Sequence, residues 1–162
     1  VGNKFERDYA LHIKSIFQKA FALEFKLSLN SNSFKVRAYS KDLAMKLNKK
    51  YNIPLGNKMG QLRIPLIIYS KKKWIFSYLR GLFDTDGCFH IRRQKDALIS
   101  ITSADPRYLE DVAKALSFCK FNVSMGQQKV MLCGKDSVSD FFRKIKPANS
   151  KHLKKYEEYL KL

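Results

Sequence analysis

The chain has 162 residues, enough for one or two small domains with real cores. Its 32 Lys and Arg stand against 14 Asp and Glu, a formal charge of +18. That excess seeks a polyanion: nucleic acid is the commonest, with an anionic membrane surface or a polyanionic protein as alternatives. Aromatic residues at 13% exclude a merely basic tail, and no apolar run is long enough to span a bilayer.

Val1-Gly2-Asn3-Lys4 leads into no secretory apolar region. Cys88, Cys119 and Cys133 are odd in number and lack CxxC spacing, so neither a disulfide framework nor a zinc site is expected. Ordinary thiols in a reducing compartment fit, cytoplasmic and nucleoid-associated or organellar.

The first predicted element is a helix over 8–21, with Tyr9, Leu11, Ile13, Ile16, Phe17 and Phe21 as its apolar stripe. Residues 23–30 alternate as a strand, with Leu23, Phe25, Leu27 and Leu29 on one face. A turn follows, then a return strand over 34–39 with Lys35 and Arg37 outward. Ser40 caps a helix over 41–51, and a loop with Pro54, Gly56, Gly60 and Pro65 ends this part. A helix over 73–84 opens the second part. Strands at 88–93 and 98–103 form a hairpin around Gln94-Lys95-Asp96. Asp105 and Pro106 start a helix that runs to 118. A second hairpin at 121–125 and 129–133 leads to helices over 135–145 and 151–160.

An internal repeat is visible. Val36-Arg37-Ala38-Tyr39-Ser40-Lys41-Asp42 lines up with Val130-Met131-Leu132-Cys133-Gly134-Lys135-Asp136, each a strand running into a Lys-Asp helix start. The second unit reads helix, hairpin, helix, hairpin, helix; the first begins at its second helix. The two units divide the chain at 1–70 and 71–162. Near the start of the second lies Leu79-Arg80-Gly81-Leu82-Phe83-Asp84-Thr85-Asp86-Gly87, a helix-forming run that ends in two carboxylates and a glycine beside a basic strand. A carboxylate fixed there points to a divalent metal near a phosphate backbone. A calcium loop is excluded, because the positions that would need acids hold Leu82 and Arg93.

That run resembles the LAGLIDADG motif of homing endonucleases. Leu79, Gly81, Leu82, Asp84, Asp86 and Gly87 fit, and Arg80 replaces a small residue. Ile53-Pro54-Leu55-Gly56-Asn57-Lys58 and Asn149-Ser150-Lys151-His152-Leu153 are similar to flanking segments of archaeal and intein-type members. The resemblance implies an α+β fold, an αββαββα unit plus a partial first unit, with antiparallel sheets forming a DNA-binding saddle. It also implies two motif helices packed side by side, where this chain shows one. Leu79, Gly81, Leu82 and Phe83 would form that helix interface, completed by a homodimer or another chain.

By motif position Asp86 is the catalytic and metal-binding carboxylate, with Asp84 in a secondary, structural role. Lys58 and Lys151, ending equivalent segments of the two units, are candidates to orient water or steady the transition state. Magnesium, or manganese, would lower the pKa of bound water and neutralise the leaving oxygen. One carboxylate cannot hold it well; a related Asp from a second motif helix would be needed.

Sequence reading is expected on the outer sheet face, where His90, Arg92, Gln94, Ser100 and Thr102 alternate with inward apolar residues. Asn122, Ser124, Gln128 and Lys129 extend this row; Lys26, Ser28, Lys35 and Arg37 match it in the first unit. His12 and His152 read as surface residues. The expected activity is a site-specific, metal-dependent endonuclease on double-stranded DNA. The alternatives are a DNA-binding relic or regulator that lost cleavage, and an RNA-binding splicing helper.

Overall fold

A computed structural model describes residues 5–92 and 96–162. Helix α1 (Arg7–Phe21) leads to a hairpin of β1 (Lys26–Asn30) and β2 (Ser33–Arg37), then to α2 (Lys41–Tyr51). Ser40 caps α2 by accepting the Leu43 N–H at 3.1 Å. Asn52, with φ 54°, ends it. The loop over 52–65 runs into a 3-10 turn (Leu66–Ser70), which the apolar pattern did not reveal.

The second part is α3 (Lys72–Asp86), β3 (Gly87–Ile91), β4 (Ala97–Thr102), α4 (Pro106–Phe118), β5 (Ser124–Gly126), β6 (Lys129–Cys133), α5 (Lys135–Ile145) and α6 (Ser150–Leu160). This is the expected αββαββα order with a closing helix, built on antiparallel pairing. The two hairpins join through β4 and β6 into one sheet, ordered β3-β4-β6-β5. Helix α4 starts where Asp105 accepts the N–H groups of Arg107 and Tyr108. Strand β5 is shorter than expected, because Phe121 turns into the core instead of extending the ladder.

The main core lies between the inner sheet face and helices α3, α4 and α5. Ile75, Leu79 and Phe83 of α3 meet Phe89, Ile99 and Ile101 of the sheet, each at most 1% exposed. Val112 and Leu116 of α4 and Phe141 and Ile145 of α5 close it. The first unit is filled much less. Helix α2 buries no residue fully, where its counterpart α5 buries four. In α1, Leu11, Ile16 and Phe17 of the expected apolar stripe are exposed; Tyr9 and Ala10 are buried. Among the described residues the β1–β2 sheet has two strands.

Candidate functional site

The end of α3 sorts its two carboxylates by geometry. Residues two apart on a helix point about 200° from each other, so they take opposite sides. Asp84 turns inward, 2% exposed, and accepts the Ala148 N–H at 3.0–3.1 Å and the Asn149 N–H at 3.2 Å. Burial raises its pKa, and these two N–H donors work against the rise. Asp86 is exposed and accepts the Thr85 hydroxyl at 2.8 Å. Gly87 ends the helix in extended backbone, φ −85°. A Cβ there would lie 2.5 Å from the Phe83 carbonyl oxygen and overlap the Phe83 ring. Space, and not an unusual backbone conformation, requires the glycine.

Asp84 belongs to a buried polar knot. Asn149, fully buried, donates its amide to the Asp84 carbonyl at 2.9 Å and to Glu6 at 2.6 Å. Its own side-chain oxygen accepts the Lys151 N–H and caps α6. Burial, and then the neighbouring charge of Asp84, raises the pKa of the Tyr9 hydroxyl. Lys151 pairs with Glu6 at 3.1 Å, so its ammonium already serves this knot. His152, expected on the surface, is 2% exposed with its ring centroid 4.3 Å from that of Phe83. The buried Asn149 cap turns the first turn of α6 inward and carries His152 with it. Burial pulls its pKa down to about 4.

The proposed helix interface divides. Leu79 and Phe83 are wholly buried in the core of their own unit, so they cannot also meet a second motif helix. Leu82 is half-buried and packs against that same core. Gly81 is exposed, and a Cβ there would meet nothing within 4 Å. It shares an open stripe with Trp74, Ser77 and Thr85. Arg80 leaves that stripe and donates to the Ile145 carbonyl at 2.8 Å, at the end of α5.

On the outer face of the large sheet, register sets the neighbours. Gly87 pairs with Ile101 and Thr102 pairs with Lys129. Asp86, one residue before Gly87, therefore ends α3 at the sheet edge that carries Thr102 and Lys129. Thr102, Ser103, Gln128 and Lys129 contribute to an open cleft of about 680 Å³. His90 is exposed, and burial followed by the charges of Lys155, Lys129 and Arg92 lowers its pKa. Arg92 is a surface residue 3.7 Å from Asp96, a contact of small energetic worth. Ser124 and Asn122 are exposed. Ser100 departs from its expected role. It is 5% exposed, because β4 is a central strand with Cys88 and Met131 on either side of it. Its hydroxyl lies 3.4 Å from His90 Nε2 and does not reach outward. Gln94 lies outside the described residues.

In the first unit Lys26 stands across from Arg37, and Ser28 across from Lys35, as one outward row. Lys58 is exposed in the 52–65 loop, and among the described residues no hydrogen bond or ion pair joins it to α3. Lys155 escaped the sequence reading. Its signal is the spacing from Lys151, one helical turn earlier on α6, with the Tyr156 and Tyr159 rings packed against Phe89 of β3.

Asp86 is the exposed motif carboxylate that a divalent cation could use. Among the described residues, no group of three His, Cys, Asp or Glu side chains is placed to hold one. Asp84 is committed inward, leaving Asp86 as one carboxylate.

Residues 73–146 match the family model described as a LAGLIDADG-like domain, from α3 through the residue after α5. A stretch of 67 residues is 37% identical to part of the probable translation initiation factor IF-2 of Thermococcus kodakarensis. That alignment covers 41% of this chain and 6% of the relative, so the likeness concerns a small segment of a much longer protein.

Proposed function

We infer that this chain is a nucleic-acid-binding module that holds duplex DNA on its outer sheet faces and, by itself, does not cut it. The observation that carries this reading is the divergence of the two motif carboxylates. Asp84 is consumed by the Ala148 and Asn149 N–H groups, and among the described residues no group of three His, Cys, Asp or Glu side chains gathers around Asp86. The cations remain where a phosphate backbone could use them: Lys26, Lys35 and Arg37 in the first unit, and Arg92, Lys129 and Lys155 in the second. The match to a LAGLIDADG-like domain supports a nuclease ancestry for the second unit.

The test is a fluorescence-anisotropy titration with duplex DNA, RNA and single strands, with and without magnesium. The chain should bind duplex DNA, with affinity falling steeply between roughly 50 and 200 mM salt. Asp86→Asn should bind like the parent, and neither should nick DNA. Preference for RNA would replace this reading with the splicing-helper role; cleavage by the parent, lost in Asp86→Asn, would restore the endonuclease.

The open Gly81 stripe favours a second reading, in which another motif helix packs on α3 and brings its own Asp beside Asp86. Such an assembly would give magnesium a second carboxylate ligand. Mass in solution with and without DNA decides it: a lone chain under both conditions excludes it.

A further inference from the structure

On the helical side, away from the outer sheet face, α4 meets the end of α2 and the 3-10 turn around an open groove of about 920 Å³. Its floor is aliphatic: Ile64, Pro65, Leu66 and Ile67, with Phe118 of α4 beside them. Leu66 is 85% exposed and Phe118 56%, more than a helical surface ordinarily leaves open at neighbouring large apolar residues. Lys49, Lys50, Arg63 and Lys114 rim it, and among the described residues Asp111 is the one carboxylate in the lining. Asp111, Lys114 and Phe118 lie on one face of α4, turned from the core residues Val112 and Leu116. An occupant here and a nucleic acid on the sheet would not compete for space.

We propose that this groove docks an acidic amphipathic helix of a partner protein, with apolar anchors on the Leu66–Phe118 floor and carboxylates against the lysine rim. Charge complementarity selects that occupant: the rim is cationic and the Ile64–Ile67 floor is apolar, with Asn52 and the Tyr51 and Tyr69 hydroxyls also in the lining. Nucleobases are the poorer fit. The Tyr69 ring meets Phe118 edge-on at 5.3 Å, and Lys50 covers the Tyr51 ring at 5.2 Å, so those rings are already engaged by side chains.

The full chain is titrated with a labelled helical peptide carrying leucines at i, i+3, i+4 and i+7 and glutamates elsewhere. A scrambled peptide of the same composition and a lysine-for-glutamate version serve as controls. The acidic helix should bind, and the controls should not. Binding should weaken by about tenfold or more in a Lys114→Glu, Phe118→Ser double variant. It should persist in Lys35→Ala and when the sheet is saturated with duplex DNA. Circular dichroism checks that the double variant folds; if it does not, Lys114→Glu alone is used. No binding, equal binding of the scrambled peptide, or undiminished binding by the folded groove variant would overturn the proposal. So would a single-stranded oligonucleotide whose binding the same variant abolishes. Failure of DNA binding alone would refute the nucleic-acid reading and leave the groove result standing.

Discussion

His152 makes stability depend on pH in a calculable direction. Its ring is buried against Phe83, and its folded pKa is about 4 against an ordinary value near 6.5. The folded state therefore favours the neutral imidazole, while the unfolded chain takes up a proton first. The stability from this residue is fully present above about pH 6.5 and is lost as the pH falls; the loss is complete below about 4. The whole span corresponds to about 3 kcal/mol, of which about 2 kcal/mol is gone by pH 5. Asp84 works in the opposite sense: its raised pKa makes the folded state bind a proton first, so acidification relieves its burial. A His152→Phe variant separates the two, since it keeps an aromatic ring against Phe83 and cannot titrate. Urea unfolding followed by circular dichroism, at constant ionic strength from pH 7.5 to 5, gives both profiles. The parent should lose about 2 kcal/mol more than the variant over that range. Parallel profiles would refute the buried, neutral assignment of His152.

Gly87→Ala forces a Cβ onto the Phe83 carbonyl oxygen and should destabilise by about 1–3 kcal/mol, read as a lowered Tm. Gly81→Ala, facing open space in the middle of a helix, should instead stabilise the lone chain by about 0.5–1 kcal/mol. If a second motif helix packs there, Gly81→Leu should abolish that association in sedimentation while leaving the folded monomer intact. Asp84→Asn keeps one accepting oxygen and turns an amide NH2 donor toward the Ala148 N–H that the other oxygen accepted. It should cost about 1–3 kcal/mol in denaturant unfolding with little change in DNA affinity. Replacing both Lys35 and Arg37 by Ala should weaken duplex binding evenly across sequences and reduce the log–log salt slope by about 2, measured by anisotropy.

The order of elements was legible because local signals coincide with the structure. Ser40 and Asp105 lie at helix starts and cap them through side-chain oxygens. The second unit's alternation put Phe89, Ile99 and Ile101 inside. What escaped depends on partners distant in sequence. The stripe on α1 has a helical period, but a period reports an apolar face without saying whether anything covers it; Ile16 and Phe17 remain exposed. Ser100 has the alternation of an outward residue, yet its place in a central strand closes both sides. His152 sits among lysines and reads as solvated until the Asn149 knot turns it inward. The motif gave Asp84 its structural role, but not the Ala148 and Asn149 N–H groups, far along the chain, that hold it.

The sparse interior of the first unit sets a hierarchy of opening. With α2 burying no residue fully and α1 burying two, little apolar area resists local unfolding of α1, β1, β2 and α2. Their amides should exchange with solvent through partial openings, while those of α3, β4 and α5 should wait for global unfolding. The Glu6–Asn149 and Glu6–Lys151 contacts link the start of α1 to the durable part. A ligand spanning both sheet faces would therefore bind a molecule with one rigid half and one half able to adjust, and part of its binding free energy would go into ordering the latter.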